Sequence, residues 1–178
     1  MMSTNTDDLR IQNLRELVVP EALIAQLPAE GPLAEHVNAS RGVIQSILEH
    51  ADDRLVVVVG PCSIHDTDAA MDYAARLKAL ADEVAEDIFV VMRVYFEKPR
   101  TTVGWKGFIN DPHLDNSFDV NEGLRRARQL LLDINGVGLP TATEYLDLIS
   151  PQYIADLVGW GAIGARTTES QSHRELAS

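Results

Sequence analysis

Ile88-Phe89-Val90-Val91-Met92-Arg93-Val94-Tyr95-Phe96-Glu97-Lys98-Pro99-Arg100-Thr101-Thr102-Val103-Gly104-Trp105-Lys106-Gly107 begins as an apolar run and ends as a cationic loop. The run from Ile88 to Met92 has the pattern of a strand covered on both faces. Arg93 stands where that strand gives way to the loop. A charge in such a place is costly unless a partner neutralises it, so the strand end reads as a site. The chain carries a net charge of -12, yet four of its 15 Lys and Arg residues lie between Arg93 and Lys106, with Glu97 alone offsetting them. Cations gathered in one loop of an acidic protein predict a focused anion site rather than a polyanion surface. Arg matches planar carboxylate or phosphate and Lys acts as a point charge. Together they predict a small phosphorylated acid as ligand.

The pattern repeats outward from this stretch. Leu55 to Val59 is a continuous β-branched and leucine run and reads as a strand. Asp66, Thr67 and Asp68 cap and open a helix from about Ala69 to Val84, after which the strand from Ile88 reaches to about Phe96. Turn signals at Asp111-Pro112 and Asn116-Ser117 divide a long loop from a helix over about Val120 to Leu132, which Asn135-Gly136 ends. Thr141 to Leu146 is a third strand. Pro151 opens a helix running to about Val158. Ala162 to Arg166 is a short fourth strand, and Ser172-His173-Arg174-Glu175 has the form of a capping box. Strands alternating with helices predict right-handed βαβ units and a parallel sheet. Periodicity alone fits two α/β arrangements: half of an eight-unit barrel, or a four-stranded doubly wound sheet. Both place charged residues at the carboxyl ends of strands, where these folds bind ligands.

Residues 1–50 read as an N-terminal helical extension, and residues 51–178 as four βα units. Leu9, Ile11, Leu14, Leu17 and Val18 form a loose apolar face that Pro20 interrupts, and Pro28, Gly31 and Pro32 make a linker. Val37, Val43, Ile44, Ile47 and Leu48 suit a helix from Leu33 to Leu48. In composition, 46% hydrophobic and 24% charged residues describe an ordinary globular protein. The acidic balance argues against a nucleic-acid or anionic-membrane partner. A single Cys excludes an internal disulfide framework and fits a reducing cytosol. The polar, acidic stretch from Met1 to Gln12 lacks the order of a signal peptide, and no apolar run approaches the roughly 18 residues of a membrane span. The expected localisation is cytoplasmic.

The stretch from Arg93 to Gly107 resembles the R-x-Y-F-E-K-P-R-T-T-x-G-W-K-G signature of the microbial, feedback-regulated type I 3-deoxy-D-arabino-heptulosonate 7-phosphate (DAHP) synthases. Gly60-Pro61-Cys62-Ser63-Ile64-His65-Asp66 and Gly164-Ala165-Arg166-Thr167-Thr168-Glu169-Ser170-Gln171 resemble two further signatures of that family, in the same order. The resemblance runs from about Asp8 to the last residue. It implies the first half of a (β/α)8 TIM barrel. The implied reaction condenses phosphoenolpyruvate with erythrose 4-phosphate, the first step of aromatic amino-acid biosynthesis. A related family that joins phosphoenolpyruvate to arabinose 5-phosphate carries a different loop in place of Lys98-Pro99-Arg100-Thr101-Thr102.

Roles follow from the resemblance residue by residue. Cys62, which alone would read as a small buried hydrophobe or as a ligand, is implied to give its thiolate to a divalent metal. A mixed sulfur, nitrogen and oxygen set suits Mn, Fe, Co or Zn. Arg93, Lys98 and Arg166, with the backbone at Ala165, are placed around phosphoenolpyruvate. Arg100 and Thr101 are placed on the phosphate of erythrose 4-phosphate, with Lys98 between the substrates. Glu144 reads as an organiser of water or charge, or as the ion-pair partner of a neighbouring Arg. Trp105 and Lys106 fix the loop, and His65 supports the site without ligating. Asp7 and Asp8, with Leu148, Pro151 and Gln152, resemble an aromatic amino-acid inhibitor pocket near a homo-oligomer interface. Chain length is about half that of such enzymes, and the other metal ligands are expected beyond Ser178. The expectation is therefore a truncated fragment, inactive alone; the alternative is an anion-binding fragment that catalyses nothing.

Overall fold

The computed structural model describes residues 7, 11, 13–100 and 103–178. Four strands, β1 (Leu55–Val59), β2 (Ile88–Arg93), β3 (Thr141–Tyr145) and β4 (Trp160–Ile163), form one parallel sheet in the order β1-β2-β3-β4. Helices α1 (Pro20–Gln26), α2 (Pro32–Leu48), α3 (Thr67–Glu83), α4 (Val120–Gly136), α5 (Pro151–Ile154) and α6 (Gln171–Ala177) accompany them. A doubly wound sheet reverses strand order at a switch point, whereas each strand here adds to the same edge. The fold is the first half of a TIM barrel.

Strand alternation sorts β2 onto two faces. Val90 and Met92 join the main core with Ala74 and Leu77 of α3 and Leu130, Leu131 and Ile134 of α4. Val91 faces the other way with Ala142, Val56, Phe89 and Trp160, and Ile44 of α2 covers that group. By the same alternation Arg93 shares the face of Phe89 and Val91, the inner side of the half-barrel. The register pairs Val59 with Met92, so β1 and β2 end side by side, and Arg93 with Ala142, so β3 begins where β2 ends.

Some local expectations shift: β2 ends at Arg93 rather than near Phe96, and β4 spans Trp160–Ile163 rather than Ala162 to Arg166. β1 pairs on one side only, leaving Leu55, Val58 and Val59 partly exposed rather than covered on both faces. Pro20 opens α1 instead of breaking a pattern, since a first-turn proline has no N–H to waste and a φ already helical. The cap of α6 is Ser170, whose hydroxyl accepts from His173 N, not Ser172. The N-terminal arm is stitched down: Val18 N donates to Asn121, Asn121 donates to Glu16 O, and the Tyr153 hydroxyl donates to Val18 O. Among the described residues no helix is long and apolar enough to cross a membrane.

Candidate active site

β1 ends against Arg93 so closely that a Cβ at Gly60 would lie 2.6 Å from the Arg93 carbonyl oxygen. Glycine is required for that approach. The loop beyond it is then fastened to the segment after β2 by hydrogen bonds from Ile64 N and the Ser63 hydroxyl to Tyr95 O. Asp66 stops the loop by accepting from Asp68 N and Ala69 N as the N-cap of α3. Between these anchors Cys62 is exposed.

Two strand ends meet there. Lys98 Nζ lies 3.0 Å from Cys62 Sγ. That hydrogen bond, followed by the Lys98 charge, holds the Cys62 thiol below its usual range against opposing desolvation; Arg93 and Arg100 add to the effect. The sulfur is thereby biased toward thiolate, the form that binds metals and attacks electrophiles. The Arg93 guanidinium stacks 3.8 Å above the Tyr95 ring and donates through Nη2 to Cys62 O at 3.3 Å. Its Nε is buried and has no partner among the described residues. A donor in that condition is open to an anion.

Glu144, half-buried on β3, completes the rim. A Cβ at Gly164 would come within 3.4 Å of its Oε1, and its charge, with burial as the larger cause, raises the Tyr95 phenol. Among the described residues it makes no ion pair with an Arg. Ala165 and Arg166 are exposed in a 3-10 turn, Ala165–Thr167, directly after β4. Arg100 is exposed on the loop after β2, and Thr101 lies outside the described residues. Cys62, Arg93 and Lys98 therefore meet directly, while Arg100, Glu144, Ala165 and Arg166 stand on neighbouring strand ends.

The expected inhibitor residues lie elsewhere. Leu148 and Gln152 are exposed and Pro151 is buried, with Gln152 Nε2 donating to Leu148 O. None of the three lines the cavity of about 980 Å³ walled by their chain neighbours Asp147, Ile149 and Ser150 together with Ile11, Leu14, Leu17 and Phe118. Asp7 is exposed, and Asp8 falls outside the described residues. One functional candidate escaped the sequence reading. Glu97, taken as a counter-charge for its neighbours, is instead buried against Asp147, fifty residues along the chain in sequence terms.

The sequence model of the DAHP synthetase I family matches residues 33–178. The Phe-sensitive phospho-2-dehydro-3-deoxyheptonate aldolase of Escherichia coli K12 is 63% identical over 177 residues, covering 99% of this chain and 51% of the relative. The Tyr-sensitive aldolase of Salmonella typhimurium is 56% identical over 178 residues, covering 100% and 50%. The Trp-sensitive aldolase of Enterobacter agglomerans is 57% identical, covering 97% and 50%. A solved phospho-2-dehydro-3-deoxyheptonate aldolase from Francisella tularensis superposes with a TM-score of 0.89 at 57% identity, over 93% of this chain and 49% of that one. The chain spans about half the length of the curated relatives it matches. On the matched sequence, the strand order and the clustered strand ends, the chain belongs to the DAHP synthetase I family.

Proposed function

We propose that the protein containing this chain is a 3-deoxy-7-phosphoheptulonate synthase, joining phosphoenolpyruvate to erythrose 4-phosphate. The observation that carries the reading is the meeting of Cys62, Arg93 and Lys98 at two adjacent strand ends, in a chain of this family. Phosphoenolpyruvate presents a carboxylate and a phosphate. Arg93, with its open Nε, Lys98, Arg166 and the Ala165 N–H suit those two anions. Arg100 and Thr101 take the sugar phosphate, and Lys98 lies between the substrates. C3 of phosphoenolpyruvate bonds to the aldehyde carbon, whose oxygen takes up a proton. Water, organised by Glu144, adds at C2 and the bond from C2 to the phosphate oxygen breaks. The protein's part is to hold two anionic substrates together and to balance charge as it moves.

Cys62 fits a divalent metal as one donor, since Lys98 already favours its thiolate. A sulfur donor suits Mn, Fe, Co or Zn. When bound, such an ion supplies Lewis-acid polarisation of the aldehyde. Among the described residues no group of three His, Cys, Asp or Glu is placed to hold an ion. The cavity walled by Asp147, Ile149 and Ser150, chain neighbours of Leu148, Pro151 and Gln152, mixes apolar and polar walls and suits an aromatic amino acid as inhibitor. Pro151-Gln152 favours phenylalanine or tyrosine. The lone cysteine fits the cytoplasm, and membership of the family supports a homo-oligomer.

The test is erythrose 4-phosphate-dependent consumption of phosphoenolpyruvate with added Mn. It is run on residues 1–178 alone and again with the second half of a family member supplied in trans. Activity with the second half, lost on Cys62→Ala, is the expected result. Phosphoenolpyruvate binding without turnover under both conditions would favour an anion-binding role instead, and would overturn the proposal.

A further inference from the structure

Glu97 stands apart from the charges around it. It follows the strand end that carries Arg93, yet only 8% of it is exposed, whereas Arg100 and Lys106 are exposed. Its backbone bridges Gly107 in antiparallel fashion. Beside that bridge Phe108 N donates to Phe96 O at 2.6 Å and Lys98 N donates to Lys106 O at 3.0 Å. A Cβ at Gly107 would lie 2.3 Å from Phe96 O, so only glycine lets the two legs come this close. The segment thus leaves and returns as a strap, with Glu97 and Gly107 at its base and Lys98 and Arg100 on its span.

At the base the Glu97 carboxyl faces the Asp147 carboxyl, the Leu146 N–H and the Ser150 hydroxyl. Asp147 already accepts from Ile149 N at 2.6 Å and Ser150 N at 2.7 Å. An ionised carboxylate can only accept, so two of them in contact repel unless one carries a proton to donate. Burial pushes Glu97 up to about 8, the Asp147 hydrogen bond and charge add to the rise, and the Leu146 N–H and Ser150 hydroxyl oppose it. Asp147 is held below its usual range in spite of burial, through the Glu97 hydrogen bond and the two N–H groups of its turn. Other charges face elsewhere or farther off. Lys98 is turned to Cys62, and Arg15 and Asp119 share with Asp147 the lining of the neighbouring cavity.

We propose that Glu97 is a positioning residue whose protonated carboxyl donates to Asp147, so that one shared proton fastens the base of the anion-binding strap to the turn between β3 and α5. Its value to catalysis rests on reading Lys98 and Arg100 as substrate ligands; the fastening itself does not. The sign of the pH effect follows from proton counting. Docked, Glu97 releases its proton near pH 8; freed into water it does so near the ordinary 4.5. Between those values the released strap binds fewer protons, so each pH unit favours release by about tenfold. Above about pH 8 both states are ionised and the dependence ends.

Two measurements on the chain, neither needing substrate, decide it. The Glu97 side-chain carboxyl resonance, assigned by its loss in Glu97→Gln, should titrate near pH 8. Protection of the Lys98 and Phe108 amides from hydrogen exchange, corrected for intrinsic rates, should fall about tenfold per unit between pH 6 and 8 and then level off. In Glu97→Gln, which keeps a donor but cannot ionise, protection should hold constant. Asp147→Asn replaces the facing charge with a neutral amide and should lower the Glu97 midpoint. A Glu97 resonance titrating in the ordinary carboxylate range, or equal pH dependence of protection in wild type and Glu97→Gln, overturns the proposal. If Glu97→Gln does not fold, the wild-type and Asp147→Asn midpoints still decide it.

Discussion

Arg128 reaches both carboxylate oxygens of Asp156, at 2.6 and 2.8 Å, from a side chain with no solvent exposure at all. Two further donors, on Nε and Nη1, go to Leu27 O and Tyr153 O. One guanidinium therefore joins the chain after α1 to α4 and α5.

Removing the carboxylate leaves that charge buried and uncompensated. Asp156→Ala should cost about 3 kcal/mol, the lower end for breaking a buried pair, because Asp156 itself is partly exposed. Urea denaturation measures it. A loss below about 1 kcal/mol, the range of exposed pairs, would show that backbone oxygens alone satisfy Arg128.

Gly123 lies where α4 crosses the preceding loop, and a Cβ there would sit 2.0 Å from Ile109 O. Backbone cannot yield as a flexible side chain does. Gly123→Ala should destabilise by at least about 2 kcal/mol. Gly42, inside α2, has nothing within 4 Å of its Cβ position, so Gly42→Ala should stabilise by about 0.5–1 kcal/mol through helix propensity. Thermal melts of the two variants should move in opposite directions; the same sign for both would refute the packing argument.

Lys98→Ala removes the leading cause of the low Cys62 pKa. The thiol should return upward, and alkylation by iodoacetamide at neutral pH should slow accordingly. Arg93→Ala removes a smaller contribution and should have the lesser effect. An unchanged pH profile in Lys98→Ala would mean that the 3.0 Å contact does not persist in solution.

Asp66→Ala deletes two hydrogen bonds to the first turn of α3 and should cost about 1 kcal/mol. Asp66→Asn, also a good cap, should recover most of the loss. Equal stability of the alanine variant and wild type in urea would deny the cap its role.

Local signals made much of this legible. An apolar run ending in Arg93 announced a strand, and Asp66 announced the start of α3. What escaped depended on partners distant in sequence. Glu97 looked like a counter-charge because Asp147, which explains its burial, belongs to another βα unit. β4 was expected from Ala162 but begins at Trp160. Gly161 there looks like a strand breaker, yet its missing side chain makes room for the Tyr145 ring, which a Cβ would approach to 2.7 Å. Pro20 read as an interruption because the apolar residue that holds α1 in place, Leu23, earns its role only against the folded core.

The pairing of Val59 with Met92 also makes the lone thiol a gauge of alignment. Cys62 and Lys98 belong to segments that leave different strands, and they meet because β1 and β2 are in register. A slip of one residue would carry one segment about 3.3 Å past the other, enough to part ammonium from sulfur. A collapsed chain with every helix formed but its strands misaligned would keep an ordinary thiol. The speed with which a thiol-specific dye colours this protein near neutral pH therefore counts correctly aligned molecules, which helix content alone cannot do.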